Sequence, residues 1–206
     1  MDIPSKRHAA LHPFLAASRI IDWKTPAVRR LALELATGHD GDDEAVARVC
    51  FEWVRDEVRH SWDHRLNPVT CSASEVLEHR TGYCYAKSHL LAALLRANGI
   101  PAGLCYQRLS IDDDGAPYCL HGLNAVHLRS HGWYRCDARG NRPGIDARFT
   151  PPAERLAFAV GAGGPDEADL PEIWAEPSLS VVNVLEGCRM VEEVMEHLPD
   201  VALVGR

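Results

Sequence analysis

The 206-residue sequence predicts an α+β fold in which helices pack on an antiparallel sheet. Two observations carry this. Apolar residues recur at helical spacing as far as residue 98, and after Pro101 the pattern turns alternating or continuously apolar. The helical and extended segments also come in separate blocks, which excludes a βαβ array. The length points to one domain, residues 1–206, with a core at about 44–140 and a C-terminal extension at 141–206.

Thr25 and Pro26 read as a cap and first-turn pair, Val28, Leu31, Ala32 and Leu35 form an apolar stripe, and Gly38 stops it. An acidic loop at 40–44 leads into a second helix with Val46, Val49, Cys50, Trp53, Val54 and Val58 on one face, expected to pack on the helix that begins at Cys84. Residues 59–71 read as a loop with a short strand. Ser72 and Glu75 have capping-box spacing, which starts a helix that runs to about Arg80. Thr81 and Gly82 turn the chain into Cys84, from which Leu90, Leu91, Leu94 and Leu95 lay an amphipathic stripe. Gly99, Ile100 and Pro101 close that helix.

Residues 102–111, 118–130 and 132–139 read as three strands, with DDDGAP as the hairpin turn between the first two. Residues 150–160 read as a short helix or strand, 160–172 as a flexible loop, 178–185 as a strand and 188–198 as a terminal helix. The loop at 161–177 is expected to lie across the cleft and set specificity, so that its removal changes substrate preference without unfolding the core; an ordinary connecting loop is the alternative.

Composition sets the classes to be excluded. The formal charge of −7 argues against a nucleic-acid groove, and no segment has the length and apolarity to span a bilayer. Seven cysteines without close paired spacing suit reduced thiols, so a cytoplasmic protein is expected. No signal bears on oligomeric state.

Cys84 at a helix start sits where free amides and the macrodipole favour a thiolate. A nucleophilic cysteine needs a base and a group that orients the base. His121 lies within the second strand and Asp137 at the end of the third. A hairpin at 130–132 pairs His121 with a residue in 136–142, close enough for a histidine–aspartate bond.

The stretch GYCYAKSHLLAALLRANGIPAG resembles the cysteine motif of the transglutaminase-like superfamily, a Gly-x-Cys turn opening a helix that ends in Gly-Ile-Pro-Ala. His121, Gly132, Trp133 and Asp137 resemble the second and third motifs of that family in order and spacing. The resemblance implies a papain-like core, a Cys84–His121–Asp137 triad and acyl-enzyme chemistry on an amide, ester or thioester. Partners are then a peptide, a protein or a small amide or ester. Where family members often read His-Ala-Trp, this chain reads His121-Gly122-Leu123. No cofactor or metal is implied.

Hydrolysis of an amide or peptide bond is the leading expectation. An amine-acceptor transglutaminase, a coenzyme-dependent acyltransferase and a non-catalytic peptide-binding module are the alternatives. The Cys84 amide is the expected first oxyanion donor, with Trp62 or a neighbour in RHSWDHRLN as the second. Tyr83 and Tyr85 either line the pocket or pack into the core. A zinc site from Cys119, His121, His127 and His131 fails on distance along a straight strand. Asp112, Asp113, Asp114 and Gly115 lack a calcium-loop pattern.

Overall fold

The computed structural model describes residues 11–201. The helices are α1 (Pro26–Ala36), α2 (Asp43–Glu57), α3 (Ser61–His64), α4 (Ala73–His79), α5 (Cys84–Ala97), α6 (Leu179–Gly187) and α7 (Val191–Glu196). The strands are β1 (Arg59–His60), β2 (Thr81–Gly82), β3 (Ala102–Ser110), β4 (Tyr118–Leu128), β5 (Gly132–Cys136) and β6 (Ala168–Asp169). One sheet has the order β5-β4-β3-β6, antiparallel throughout, and β1 pairs with β2 in parallel. This is the α+β arrangement of helices against an antiparallel sheet.

Helix α5 is the centre of the fold. It packs on α1, α2 and α4 on one side and on β3 and β4 on the other. Every residue from Cys84 to Arg96 is buried. An amphipathic helix is expected from the sequence; layers on both sides make it buried all round instead.

Its polar residues therefore serve as internal ties. Lys87 Nζ donates to the carbonyls of Arg55 and Val58. His89 Nδ1 is 2.8 Å from the Cys71 carbonyl, and the Arg96 guanidinium donates to the carbonyls of Ala16, Ala102 and Ala175. At the C-terminal end, Gly99 has φ +73° and the Ile100 amide donates to the Leu95 carbonyl at 3.0 Å, the left-handed closure expected.

Local signals govern other boundaries too. Ser72 and Glu75 form the capping box of α4, and Asp42 Oδ1 caps α2 by accepting from the Ala45 amide at 2.9 Å. Thr25 stands at the N-cap of α1, but its hydroxyl makes no capping bond. Helix α2 does pack on α5, and its buried face adds Ala47 and Phe51 to Val46, Cys50 and Val54.

The C-terminal part differs from the expectation. Residues 178–185 are not a strand: Val181, Val182 and Leu185 fall at helical spacing on the inward side of α6. Residues 150–160 form neither helix nor strand beyond a bridge between Arg148 and Arg155.

Residues 161–177 are not a free loop. Gln107 and Arg108 pair with Asp169 and Ala168, and Leu104 exchanges backbone bonds with Trp174 at 2.8 and 2.9 Å. Buried Glu167 accepts from the amides of Ser110, Gly161 and Gly163 at 2.9, 2.8 and 3.0 Å. Those bonds outweigh the burial that would raise its carboxyl and hold it below the usual carboxylate range. The segment is a fixed wall of the sheet edge, so removing it would expose β3.

Candidate active site

The site is built where β5 stops. The β4–β5 register ends at Asn124 opposite Cys136, so the β4 edge at His121 and Gly122 has no partner from β5. The Gly122 amide donates instead to Cys84 Sγ at 3.4 Å, which joins the start of α5 to the strand. A Cβ at Gly122 would stand 2.8 Å from Tyr85 Cδ1 and 3.1 Å from Tyr85 Cα. Only glycine permits that approach.

Asp137, the first residue after β5, reaches His121 across the widening gap. His121 Nε2 and Asp137 Oδ2 are 2.7 Å apart, and both residues are buried. Asp137 also accepts from the amides of Arg139 at 3.0 Å and Ala157 at 3.2 Å. With Nε2 taken, Nδ1 is the ring nitrogen left to bond Cys84. Phe158 covers the imidazole edge-on at 4.9 Å.

Burial alone would lower the His121 pKa, but Asp137 and the Cys84 sulfur outweigh it and raise it to about 10. The Asp137 carboxyl is held below its ordinary value: the His121 imidazole and the two amides overcome desolvation. The arrangement favours a proton on the imidazole.

A cleft of about 590 Å³ opens over these groups. Trp62 lines it from α3, half-buried beneath the Arg65 guanidinium, whose carbon lies 3.4 Å from the ring centroid. Tyr83 and Tyr85 line it and are also core residues. Tyr83 Oη donates to the Val191 carbonyl at 2.7 Å, and Tyr85 Oη donates to that of Leu120. Leu123 does not line the cleft. It packs with Cys105, Ala125 and Leu156 in a separate apolar cluster, so of the His121-Gly122-Leu123 run it is Gly122, against Cys84 and Tyr85, that bears on the cleft.

The remaining histidines of the sheet lie elsewhere. His127 packs edge-on against Trp133 at 5.3 Å and borders a larger groove of about 990 Å³ beyond the far end of α5. His131 Nε2 is 3.2 Å from Glu44.

Several cleft residues carry no local signal in the sequence. Arg139 clamps Asp63 through two bonds of 2.7 and 2.9 Å and lies 5.5 Å over the Phe158 ring. His60 joins the wall through the pairing of β1 with β2, where it stands opposite Gly82. Only the folded chain brings them to Cys84.

A model of the transglutaminase-like superfamily matches residues 29–138, a range that takes in Cys84, His121 and Asp137. The chain belongs to the transglutaminase-like superfamily. Among solved structures, a candidate cysteine protease from Cytophaga hutchinsonii is similar at 20% identity and a TM-score of 0.50, covering 67% of this chain and 43% of that one. The periplasmic domain of TgpA from Pseudomonas aeruginosa is similar at 20% identity and a TM-score of 0.50, covering 65% and 48%. Both likenesses are of fold, and the chain spans less than half the length of either. No curated protein matches the sequence. Among the described residues, no helix is long and apolar enough to cross a membrane.

Proposed function

We propose that this transglutaminase-like protein is a thiol-dependent acyl-transfer enzyme that hydrolyses an amide or peptide bond through Cys84, His121 and Asp137. The observation that carries the reading is the buried His121–Asp137 bond of 2.7 Å in the lining of the cleft that also holds Cys84, whose sulfur acts on the imidazole. A buried imidazole with that pair of neighbours is arranged for proton transfer rather than for packing.

The Cys84 thiolate attacks the acyl carbon, and the carbonyl oxygen takes the electron pair as an oxyanion. Cys84 is the first residue of α5, so its amide has no acceptor within the helix and is free to stabilise that charge. As the tetrahedral intermediate collapses, the C–N bond breaks and His121 Nδ1–H protonates the departing amine. A water then gives its proton to Nδ1 and attacks the thioester, releasing a carboxylic acid and the thiolate. Asp137 holds the ring orientation throughout.

Tyr83, Tyr85 and Trp62 shape the cleft that receives a peptide, a protein segment or a small amide or ester. The seven free thiols among the described residues support a cytoplasmic setting. Wild type and Cys84→Ala compared across peptide amides, esters and amine acceptors test the reading: turnover is expected in wild type and lost in the variant. Equal turnover in the two proteins would refute it.

A further inference from the structure

The cleft holds a second imidazole that the reaction above does not use. His60 stands at the end of β1, in register with Gly82 and so two residues from the nucleophile. Its side chain is 7% exposed, and it shares the cleft lining with Cys84 and His121. Tyr83 fixes the ring edge-on at 5.6 Å. Such a group is costly to enclose unless its polar atoms meet a partner.

The two ring nitrogens differ. Nδ1 is fully enclosed and has no hydrogen-bond partner, whereas Nε2 is not among the enclosed unpaired atoms. Asp63 Oδ1 lies 3.6 Å from Nδ1, beyond hydrogen-bond distance, and that carboxylate is already held by two Arg139 N–H groups and approached by Arg142 at 3.7 Å. A proton on Nδ1 would be an enclosed donor without an acceptor. A proton on Nε2 meets the cleft.

Surrounding charges keep the ring to a single proton. Burial acts first, and Arg139, Lys87, His121 and Arg142 add to it, so the pKa falls well below the ordinary histidine value. Asp63 is an acidic side chain that the ring approaches, and Arg139 pairs with it. A neutral imidazole that donates into the cleft beside a nucleophilic sulfur has one chemical use here, because an oxyanion forms there and needs donors.

We propose that His60 is a catalytic residue, the second oxyanion donor, which presents Nε2–H to the acyl oxygen together with the Cys84 amide. This rests on the reading that Cys84 is acylated. It replaces Trp62, whose ring is stacked under Arg65, in that role. During attack no proton moves from His60: the carbonyl π pair passes to oxygen, the Nε2–H···O bond shortens, and both relax as the intermediate collapses.

Two reactions of the same sulfur separate this role from any effect on the nucleophile. Acylation by p-nitrophenyl acetate passes through an oxyanion, and alkylation by iodoacetamide does not. Asn places its amide nitrogen near the position of Nδ1, and Gln places it near that of Nε2. His60→Asn is expected to slow acylation roughly 10²–10³-fold, the cost of one oxyanion donor, with alkylation changed less than about threefold. His60→Gln is expected to recover part of the acylation rate, and Trp62→Phe to lose little.

Equal losses in both reactions, no loss in His60→Asn, or a loss that falls on Trp62→Phe would each overturn the assignment. Thermal melts identify a variant that has unfolded, and the pair of polar variants then decides by whichever folds: a folded His60→Gln with no better acylation than unmodified small-thiol reactivity also overturns it. Wild type that alkylates at Cys84 but is never acylated there would refute the enzyme reading itself, a result distinct from those above.

Discussion

Gly122→Ala places one methyl group at the closest approach of α5 to β4. The new Cβ would lie 2.8 Å from Tyr85 Cδ1, about 0.6 Å short of the 3.4 Å of ordinary contact, and 3.1 Å from the Tyr85 Cα. Tyr85 cannot swing aside, because it is fully buried and its hydroxyl is bound to the Leu120 carbonyl. The start of the helix must move instead. Overpacking of this kind costs about 1–3 kcal/mol. With a urea m-value of roughly 2 kcal/mol/M, the midpoint falls by about 0.5–1.5 M. The same displacement draws Cys84 Sγ away from the Gly122 amide, now at 3.4 Å, and from His121. A misplacement on the order of 1 Å costs catalysis about 10²-fold. Urea melts and acylation rates measured on one preparation check both effects. A Gly122→Ala protein with wild-type midpoint and wild-type acylation would refute the packing argument.

Other outcomes follow from the electrostatics. Asp137→Asn removes the charge that raises His121 to about 10, so the imidazole, followed by NMR, is expected to titrate lower and acylation to fall on the order of 10²–10⁴-fold. His121 still titrating near 10 in that variant would contradict the coupling. In the wild-type protein, deprotonation of His121 as pH rises through about 10 removes both the general acid and the stability gained from the raised pKa, which is fully present below about 6.5. Acylation and melting temperature are expected to fall together there. His89 acts in the opposite sense: burial, set against its bond to the Cys71 carbonyl, lowers it to about 4. The unfolded chain binds that proton below about 6.5 and the folded chain does not until about 4, so His89 contributes a stability loss of up to about 3 kcal/mol across the window. His89→Gln is expected to show a shallower fall in melting temperature from pH 6.5 to 4, and an unchanged slope would refute the assignment.

The parts of this fold that can be read from the sequence are those set by neighbours in the chain. Helix α5 announces its end through Gly99 and Ile100, α4 its start through Ser72 and Glu75, and the β3–β4–β5 meander shows in alternation and a turn-rich stretch. The approach of His121 and Asp137 is legible only in part: the hairpin brings the two segments side by side, but pairing stops at Asn124 opposite Cys136 and the contact is made beyond the last pair. What escapes a linear reading depends on distant contacts. The β-branched run of α6 looks extended until Val181, Val182 and Leu185 meet the core on one side. Glu167 appears as one acid in a glycine-rich loop, yet amides from Ser110 and Gly163 make it an anchor. His60 gains its place only through the parallel β1–β2 pairing, which a two-residue strand does not advertise.

The most direct measurement of acyl chemistry at Cys84 is mass spectrometry of the intact protein and its peptides after brief acid quench with p-nitrophenyl acetate. The mechanism requires a single acetyl group on Cys84, labile to hydroxylamine as a thioester is, reduced in Asp137→Asn and missing in Cys84→Ala. Acetyl groups spread evenly over Cys119, Cys188 and Cys84, or one that persists in Cys84→Ala, would contradict it.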